Sequence, residues 1–153
     1  MVSQLPKNFA AGFAGVEPNT TSALFGIEYE RILPSKGAAQ FGISGVYIFR
    51  YNVESLALFG DSSPEFRSIG MLMGNGTFFT SKKQSGFFLK AGLGVGLTHH
   101  QFYEAKTNKL HPVGDLGAGW FIPFDASTGL QIGPSLLFAS EGGIVRVRVA
   151  FGF

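Results

Sequence analysis

The sequence has no cysteine among its 153 residues, which excludes disulfide frameworks and thiolate metal sites. Charged residues are also scarce: they make up 14% of the chain, against about 25% in ordinary soluble domains. A surplus of two positive charges is too small to indicate nucleic-acid binding. The chain is 45% hydrophobic, which excludes a disordered segment. This composition predicts a surface that largely avoids water.

A long apolar run is missing as well. The longest uncharged stretch has 15 residues, 126–140, whereas a membrane-spanning helix needs about 18 or more apolar residues. Residues 1–7 lack the basic segment and apolar core of a secretion signal. Either the chain stays inside the cell, or a signal has already been removed. The length predicts one domain, 1–153.

The sequence does contain a repeat of period two, which is the signal of β-strands. From Val145 to Phe153 every odd position is bulky and apolar, and the even positions are Arg, Arg, Ala and Gly. The same alternation recurs along the chain and predicts an all-β fold. The predicted strands are 7–16, 22–33, 38–51, 66–79, 86–100, 111–124, 128–139 and 143–153.

The two faces of these strands differ in chemistry. One face is bulky and apolar, and we assign to it Phe9 and Phe13 of the first strand and Ile69, Met71 and Met73 of the fourth. The other face carries most of the charges and, by parity, 14 glycines. Glycine weakens a solvated strand but permits close approach, and the bore of an eight-stranded barrel has room only for side chains. We therefore predict that the glycine-rich face points inward.

The apolar face must then contact lipid. The sequence thus predicts a closed eight-stranded antiparallel up-and-down transmembrane β-barrel, in which closure satisfies every backbone group in hydrocarbon. A soluble barrel of the lipocalin type, with the faces reversed, is the alternative. Native folding without detergent would favour that alternative. An engineered chain would also show such regular alternation.

Two segments resemble a known family. Val149, Phe151 and Phe153 alternate at the end of the chain, which is similar to the signal read by the barrel-insertion machinery, although Arg148 stands where that signal often has glycine. Segment 86–96 resembles a strand common in the same superfamily. The chain therefore resembles the small bacterial outer-membrane barrels of the OmpA, OmpX or opacity-protein type. The resemblance implies an outer-membrane location, contact with lipopolysaccharide and with the insertion machinery, and a monomer.

Two lipid A-modifying enzymes share this architecture. The deacylase family carries a His-x-Ser-Asn motif in its seventh strand, which the stretch 136–141 lacks. The palmitoyltransferase adds an amino-terminal amphipathic helix, and the segment 2–7 is too short for one. We therefore predict no enzyme and no cofactor.

Charged side chains on the inward face cannot stay unpaired. We predict an ion-pair network that closes the lumen, with a narrow ion path as the alternative. The network comprises Glu28, Glu30, Arg50, Lys90, Asp115, Arg146 and Arg148.

The three histidines, His99, His100 and His111, fall near one end of the predicted hairpin of strands five and six. Imidazoles at such a mouth would suit zinc or copper. Against a metal site, adjacent residues in a strand point to opposite faces. A group of histidines without metal is the alternative.

Connection lengths indicate the orientation. Links after strands two, four and six are short, as periplasmic turns are, whereas 52–65 and 101–110 are longer, as outer loops are. We predict a structural or adhesive role, with an extracellular partner at these two loops. The alternatives are a small pore for ions or hydrophobic solutes and a lipid-modifying enzyme with an unrecognised site.

Overall fold

The protein is described by a computed structural model that covers residues 6–17, 22–34, 37–52, 66–81, 85–102, 105–125, 127–139 and 142–153. These residues form eight strands and contain no helix long and apolar enough to cross a membrane. The strands are β1 (Asn8–Glu17), β2 (Ser22–Ile32), β3 (Ala39–Asn52), β4 (Phe66–Phe79), β5 (Gly86–Phe102), β6 (Ala105–Pro123), β7 (Gly129–Ala139) and β8 (Gly142–Gly152).

The strands form one closed antiparallel barrel in sequence order, which confirms the predicted fold class. If the paired residues are followed from Phe9 on β1 across each strand in turn, the path ends at Gly142 on β8. Phe9 itself, however, pairs directly with Gly152 on β8. The ladder therefore closes with a displacement of ten residues. Such a stagger tilts the strands against the barrel axis.

The two ends of the barrel differ. Residues 33–38, 80–85 and 124–128 make short links at the end where β1 begins and β8 ends, which we call the turn side. At the opposite end, the loop side, β5 and β6 are the longest strands, with 17 and 19 residues. The predicted loop 101–110 is mostly strand, because β5 continues to Phe102 and β6 begins at Ala105. The predicted loop 52–65 lies outside the described residues after Asn52.

The outward face of the barrel is predominantly apolar. The alternation predicted the outward face correctly on six strands, where the bulky apolar residues point away from the barrel axis. These strands are β2, β3, β5, β6, β7 and β8. Examples are Phe25, Phe41, Leu93, Trp120 and Val147, all of which are exposed on the isolated chain.

On two strands, the face that points inward is the opposite of the one predicted. On β1, Phe9 is 1% exposed, and on β4 Met73 is also 1% exposed, whereas Leu72 is 59% exposed. Phe9, Phe13, Ile69, Met71 and Met73 therefore face the interior. The glycines that face outward as a result include Gly12, Gly70, Gly74 and Gly76.

The neighbouring strands explain this reversal. Directly paired residues point to the same face, and Glu30 of β2 pairs with Phe9 on one side and with Ser44 on the other. Ser44 in turn pairs with Met73. Because the side-chain period is two, a register that places Glu30 inside places Phe9 and Met73 inside as well.

Candidate functional site

The interior is filled by three layers along the barrel axis. Near the turn side lies an aromatic layer, in the middle an ionic layer, and toward the loop side an aliphatic layer. The aromatic layer consists of Phe9, Phe79, Phe88 and Phe121. The aliphatic layer consists of Leu24, Val46, Ile48, Ile69, Met71, Met73, Val113, Leu137 and Ile144, with Phe13 beside them.

The aromatic layer is held by ring contacts among β1, β4, β5 and β6. Phe121 meets Phe9 at 6.2 Å and Phe79 at 6.1 Å, and Phe79 meets Phe88 at 6.0 Å between ring centroids. The first two pairs are edge-on, which is a favourable arrangement for rings. Four phenylalanines thus occupy the bore below the charged residues.

Glu28 is the centre of the ionic layer. Its Oε1 accepts a hydrogen bond from Lys90 Nζ at 3.0 Å, and its Oε2 accepts one from Arg148 Nε at 3.1 Å. Arg146 Nη1 lies 3.4 Å from the same Oε2. One carboxylate therefore faces all three buried cations.

Glu30 shares two of these cations. Lys90 Nζ donates to its Oε2 at 2.7 Å, and Arg148 Nη2 donates at 3.3 Å. Asn75 donates to its Oε1 at 3.1 Å and to Ser44 Oγ at 2.7 Å. Neutral side chains of β3 and β4 therefore anchor the network on one wall.

Arg146 links the network to the opposite wall. Its Nη2 donates to Asp115 Oδ2 at 2.9 Å, and its Nε donates to Ser135 Oγ at 2.7 Å. Its guanidinium also lies 4.5 Å from the centre of the Phe13 ring, a cation–π contact. This contact joins the ionic layer to the aliphatic layer above it.

The structure thus brings together six of the seven side chains named from the sequence. They comprise three cations and three carboxylates, so the layer carries no net charge. The side chain of Arg50 lies outside the described residues. Sequence reasoning did not name the neutral partners of the network. It missed the aromatic layer because it assigned Phe9 to the outward face. The available signal was the polar Asn75 and Thr77, which share the parity of Met73 on β4 and argue against a lipid-facing role for that face.

The histidines do not form one group among the side chains that the structure describes. His99 bonds Asn108 Oδ1 through Nδ1 at 2.7 Å on the outer side. His111 is buried inside and bonds Thr98 Oγ1 through Nε2 at 2.6 Å. The side chain of His100 lies outside the described residues. His99 and His111 therefore point to opposite faces of the sheet.

The geometry matches known barrels. The N-terminal β-barrel domain of OprF from Pseudomonas aeruginosa is similar at 11% identity and a TM-score of 0.57, over 95% of this chain and 96% of that one. The attachment invasion locus protein Ail of Yersinia pestis is similar at 11% identity and a TM-score of 0.51, over 95% of both chains. This chain has the fold of the small eight-stranded outer-membrane β-barrels.

A designed transmembrane β-barrel is also similar, at 9% identity and a TM-score of 0.61 over the whole of both chains. No family model and no curated protein sequence matches. At these identities the outer-membrane barrels share the fold with this chain, and any activity must be argued from its own residues.

The last strand of the barrel presents the residues that resemble an insertion signal. Val149, Phe151 and Phe153 all face outward and are exposed. β8 pairs with β7 on one side and with β1 on the other, so it closes the barrel. The strand that carries these three residues therefore joins the start of the sheet to its end.

One turn-side carboxylate has a distinct environment. Asp125 accepts hydrogen bonds from Thr128 Oγ1 at 2.5 Å, from the Ser127 amide at 2.7 Å and from the Thr128 amide at 2.8 Å. These donors, the Thr128 hydroxyl foremost, lower the pKa of Asp125 to about 2. They stabilise the charged form and close the link between β6 and β7.

Proposed function

We propose that this protein is an integral, monomeric protein of the bacterial outer membrane with a structural or adhesive role on the loop side. Insertion is supported by the apolar outward face, which would be unfavourable in water and matches hydrocarbon. The outward Val149, Phe151 and Phe153 would serve as the signal for the insertion machinery. The surrounding bilayer would include lipopolysaccharide.

The observation that carries the interaction role is the raised hairpin of β5 and β6. The last β6 residue paired with β7 is Val113, and β6 extends from there back to Ala105 with β5 on one side. Within the part of the chain that the structure describes, no strand pairs with the other edge of 105–112. Unpaired backbone groups on an edge strand accept an added strand from a partner.

A known barrel of this fold gives limited support. Ail has been crystallised with the heparin analogue sucrose octasulfate, which shows that one barrel of this fold binds an extracellular-type ligand. For the present chain, we propose that the ligand contacts the β5–β6 hairpin and the loop 52–65.

The filled interior argues against the pore alternative. Aromatic and aliphatic layers lie below and above a neutral ionic layer, and eight strands leave room only for side chains. We propose that the ion pairs of Glu28, Glu30, Asp115, Lys90, Arg146 and Arg148 close the lumen, and that the protein is not an enzyme.

The test is attachment of cells that display the protein. Deletion of 101–106 would shorten the raised hairpin, and we expect it to abolish attachment to matrix-coated surfaces. The control is Asp125→Asn at the turn side, which should leave attachment intact. Equal attachment of both variants, or attachment no better than that of cells without the protein, would refute the adhesive role.

Two further measurements separate the alternatives. In planar bilayers we expect no stepwise conductance, and regular steps would favour the pore. Mass analysis of lipid A after overexpression should show no new species, and a deacylated or acylated product would favour the enzyme.

A further inference from the structure

A small cavity lies inside the barrel, where the ionic layer meets the wall formed by β6 and β7. Its volume is about 10 Å³, and its lining includes Lys90, Asp115 and Arg148 together with Gly117 and Ser135. A single buried water molecule needs a cavity of about 10–15 Å³. The size of this cavity therefore suits one water molecule and excludes a larger ligand.

The backbone of the wall leaves this space open. Gly117 has no side chain, although its position on β6 has the same inward parity as Asp115. On β7, Pro134 also lines the cavity, and proline has no N–H to donate to the ladder. The pairing of β6 with β7 is interrupted beside it, between Gly117↔Ser135 and Trp120↔Ile132. The cavity thus lies next to an interruption of the ladder.

An acceptor without a partner borders the cavity. Asp115 is 2% exposed, and its Oδ2 accepts a hydrogen bond from Arg146 Nη2 at 2.9 Å. Its Oδ1 is buried and has no hydrogen-bond partner among the described residues. A buried carboxylate oxygen that no donor reaches is unfavourable, because it has lost its contact with water without compensation. A donor is therefore needed at this oxygen.

Unused donors border the same cavity. An ammonium group has three N–H donors, and Lys90 uses two of them for hydrogen bonds within the ionic layer. A guanidinium has five N–H donors, and Arg148 uses three of them. A small molecule that accepts from these cations and donates to Asp115 Oδ1 would satisfy both sides.

We propose that one buried water molecule occupies this cavity, accepts hydrogen bonds from Lys90 and Arg148 and donates one to Asp115 Oδ1. Water fits because it is neutral and both donates and accepts. The three cations and three carboxylates of the layer already balance, so an ion in the cavity would add an unpaired buried charge. The proposal rests on the proposed closure of the lumen by the ionic layer, which this water completes.

The experiment detects the water by NMR of the whole barrel in detergent micelles. The probes are the Cα hydrogens of Gly117 and the ring hydrogens of Phe88, since both residues line the cavity. We expect cross-peaks from water to both probes, with opposite signs in the laboratory-frame and rotating-frame Overhauser spectra. This difference in sign marks a water molecule that tumbles with the protein. In a crystal structure, we expect density for a water within about 3 Å of Asp115 Oδ1.

Gly117→Ala is the variant that fills the cavity. Its Cβ would lie 3.0 Å from Ser135 Cβ on the inward face, and we expect the cross-peak at the Phe88 ring to be lost. The variant retains every side chain with exchangeable hydrogens, so a signal relayed through those groups would persist. Gly114→Ala is the matched control, because its Cβ would lie on the outward face at 3.5 Å from Leu93. It should retain the cross-peak.

Several outcomes would refute the site. Absence of cross-peaks at Gly117 and Phe88 in the original protein would do so, as would a persistent signal in Gly117→Ala. A crystal structure in which both carboxylate oxygens of Asp115 bond Arg146, with no water beside them, would also overturn it, whether or not the variant folds.

A water-filled bore gives a different result. Cross-peaks from water to Leu24 and Ile48 in the aliphatic layer would indicate a continuous column of water and would contradict a single site. Conductance in planar bilayers tests closure of the lumen by itself. A closed barrel with a dry cavity is therefore distinguishable from a barrel whose lumen is open.

Discussion

At the scale of single residues, the buried charges are the main energetic constraint. Moving a charge out of water is costly unless a partner of opposite sign and further hydrogen bonds compensate. Glu28 illustrates the compensation, since it contacts Lys90, Arg146 and Arg148 at 3.0 to 3.4 Å. Loss of one partner therefore costs more than the intact pair contributes, because it leaves a buried charge alone.

The first prediction concerns Glu28. The change Glu28→Gln leaves three cations facing two carboxylates, and we expect it to lower the free energy of unfolding by about 3–5 kcal/mol. Denaturant unfolding in lipid vesicles measures this loss. Lys109→Gln, which alters an exposed charge, should change the value by no more than about 0.5 kcal/mol. A loss at Glu28 as small as that of the control would contradict the role of the network.

The second prediction concerns Asp125 and pH. Its pKa falls from an ordinary value near 3.8 to about 2 in the folded barrel. A lowered pKa stabilises the fold above the unfolded pKa, and this stabilisation is lost as pH falls from about 4 through about 2. The melting temperature of Asp125→Asn should therefore converge with that of the original protein in this window. Parallel curves for the two proteins at all pH values would disprove the assignment, and NMR titration of the carboxyl group gives the pKa directly.

At the scale of strands, β4 shows how an aromatic residue covers an outward glycine. A Cβ at Gly76 would lie 3.8 Å from the Phe41 ring, and one at Gly70 would lie 3.8 Å from the Tyr47 ring. Rings on a neighbouring strand commonly cover glycines in this way. The outward glycines of β4 therefore do not leave its backbone exposed. In the sequence, however, these glycines indicated that their face of the strand points inward.

The third prediction tests the orientation of β4. Leu72→Cys and Met73→Cys would each carry a nitroxide spin label in lipid vesicles. We expect the label at position 72 to be accessible to oxygen dissolved in the bilayer, because Leu72 faces outward, and the label at position 73 to be shielded. The reverse pattern would restore the orientation inferred from the alternation alone. Leu93→Cys on β5, an outward position in both interpretations, is the reference.

At the scale of the whole molecule, closure of the ladder determines behaviour in membranes. Every strand has two neighbours, so the belt between the two ends leaves no open sheet edge in hydrocarbon. The three interior layers fill the space that this closure encloses. We therefore expect the barrel to unfold as one unit.

The fourth prediction concerns refolding of the whole barrel. We expect the urea-unfolded chain to refold in detergent micelles and to resist dodecyl sulfate, so that unheated and boiled samples migrate differently on a gel. The physical reason is the closed ladder, which has no terminal strand to fray. Identical mobility, together with a native fold in detergent-free buffer, would instead support the soluble-barrel alternative. A sample kept in urea is the unfolded reference.

Much of the fold and of the ionic layer could be predicted from the sequence. Alternation in Val145 to Phe153 identified the outward face of β8, and the inward charges Glu28, Lys90 and Arg146 follow from the same parity on their strands. Proline cannot donate to the hydrogen-bond ladder of a fully paired strand, so Pro134 by itself predicts a bulge in β7. The structure instead keeps the same register between β6 and β7 on both sides of Pro134, with Gly117↔Ser135 before it and Trp120↔Ile132 after it. No residue is inserted, and only the pairing between these two positions is interrupted.

The sequence by itself determined the number of strands, the all-β class and the faces of six strands, because on these strands bulky apolar residues lie on one face and charges, glycines or other polar residues on the other. Only the tertiary structure decided the faces of β1 and β4. On β1 the alternation placed Phe9 and Phe13 outward, and on β4 both faces contain bulky apolar residues, as Met71 and Leu72 show. Local alternation therefore favoured the wrong face on both strands. Pairing with neighbours that carry the buried charges resolves the choice, since a shift of one residue would turn every side chain to the other face. The stacking of Phe9, Phe79, Phe88 and Phe121 in the bore depends on the same long-range pairing.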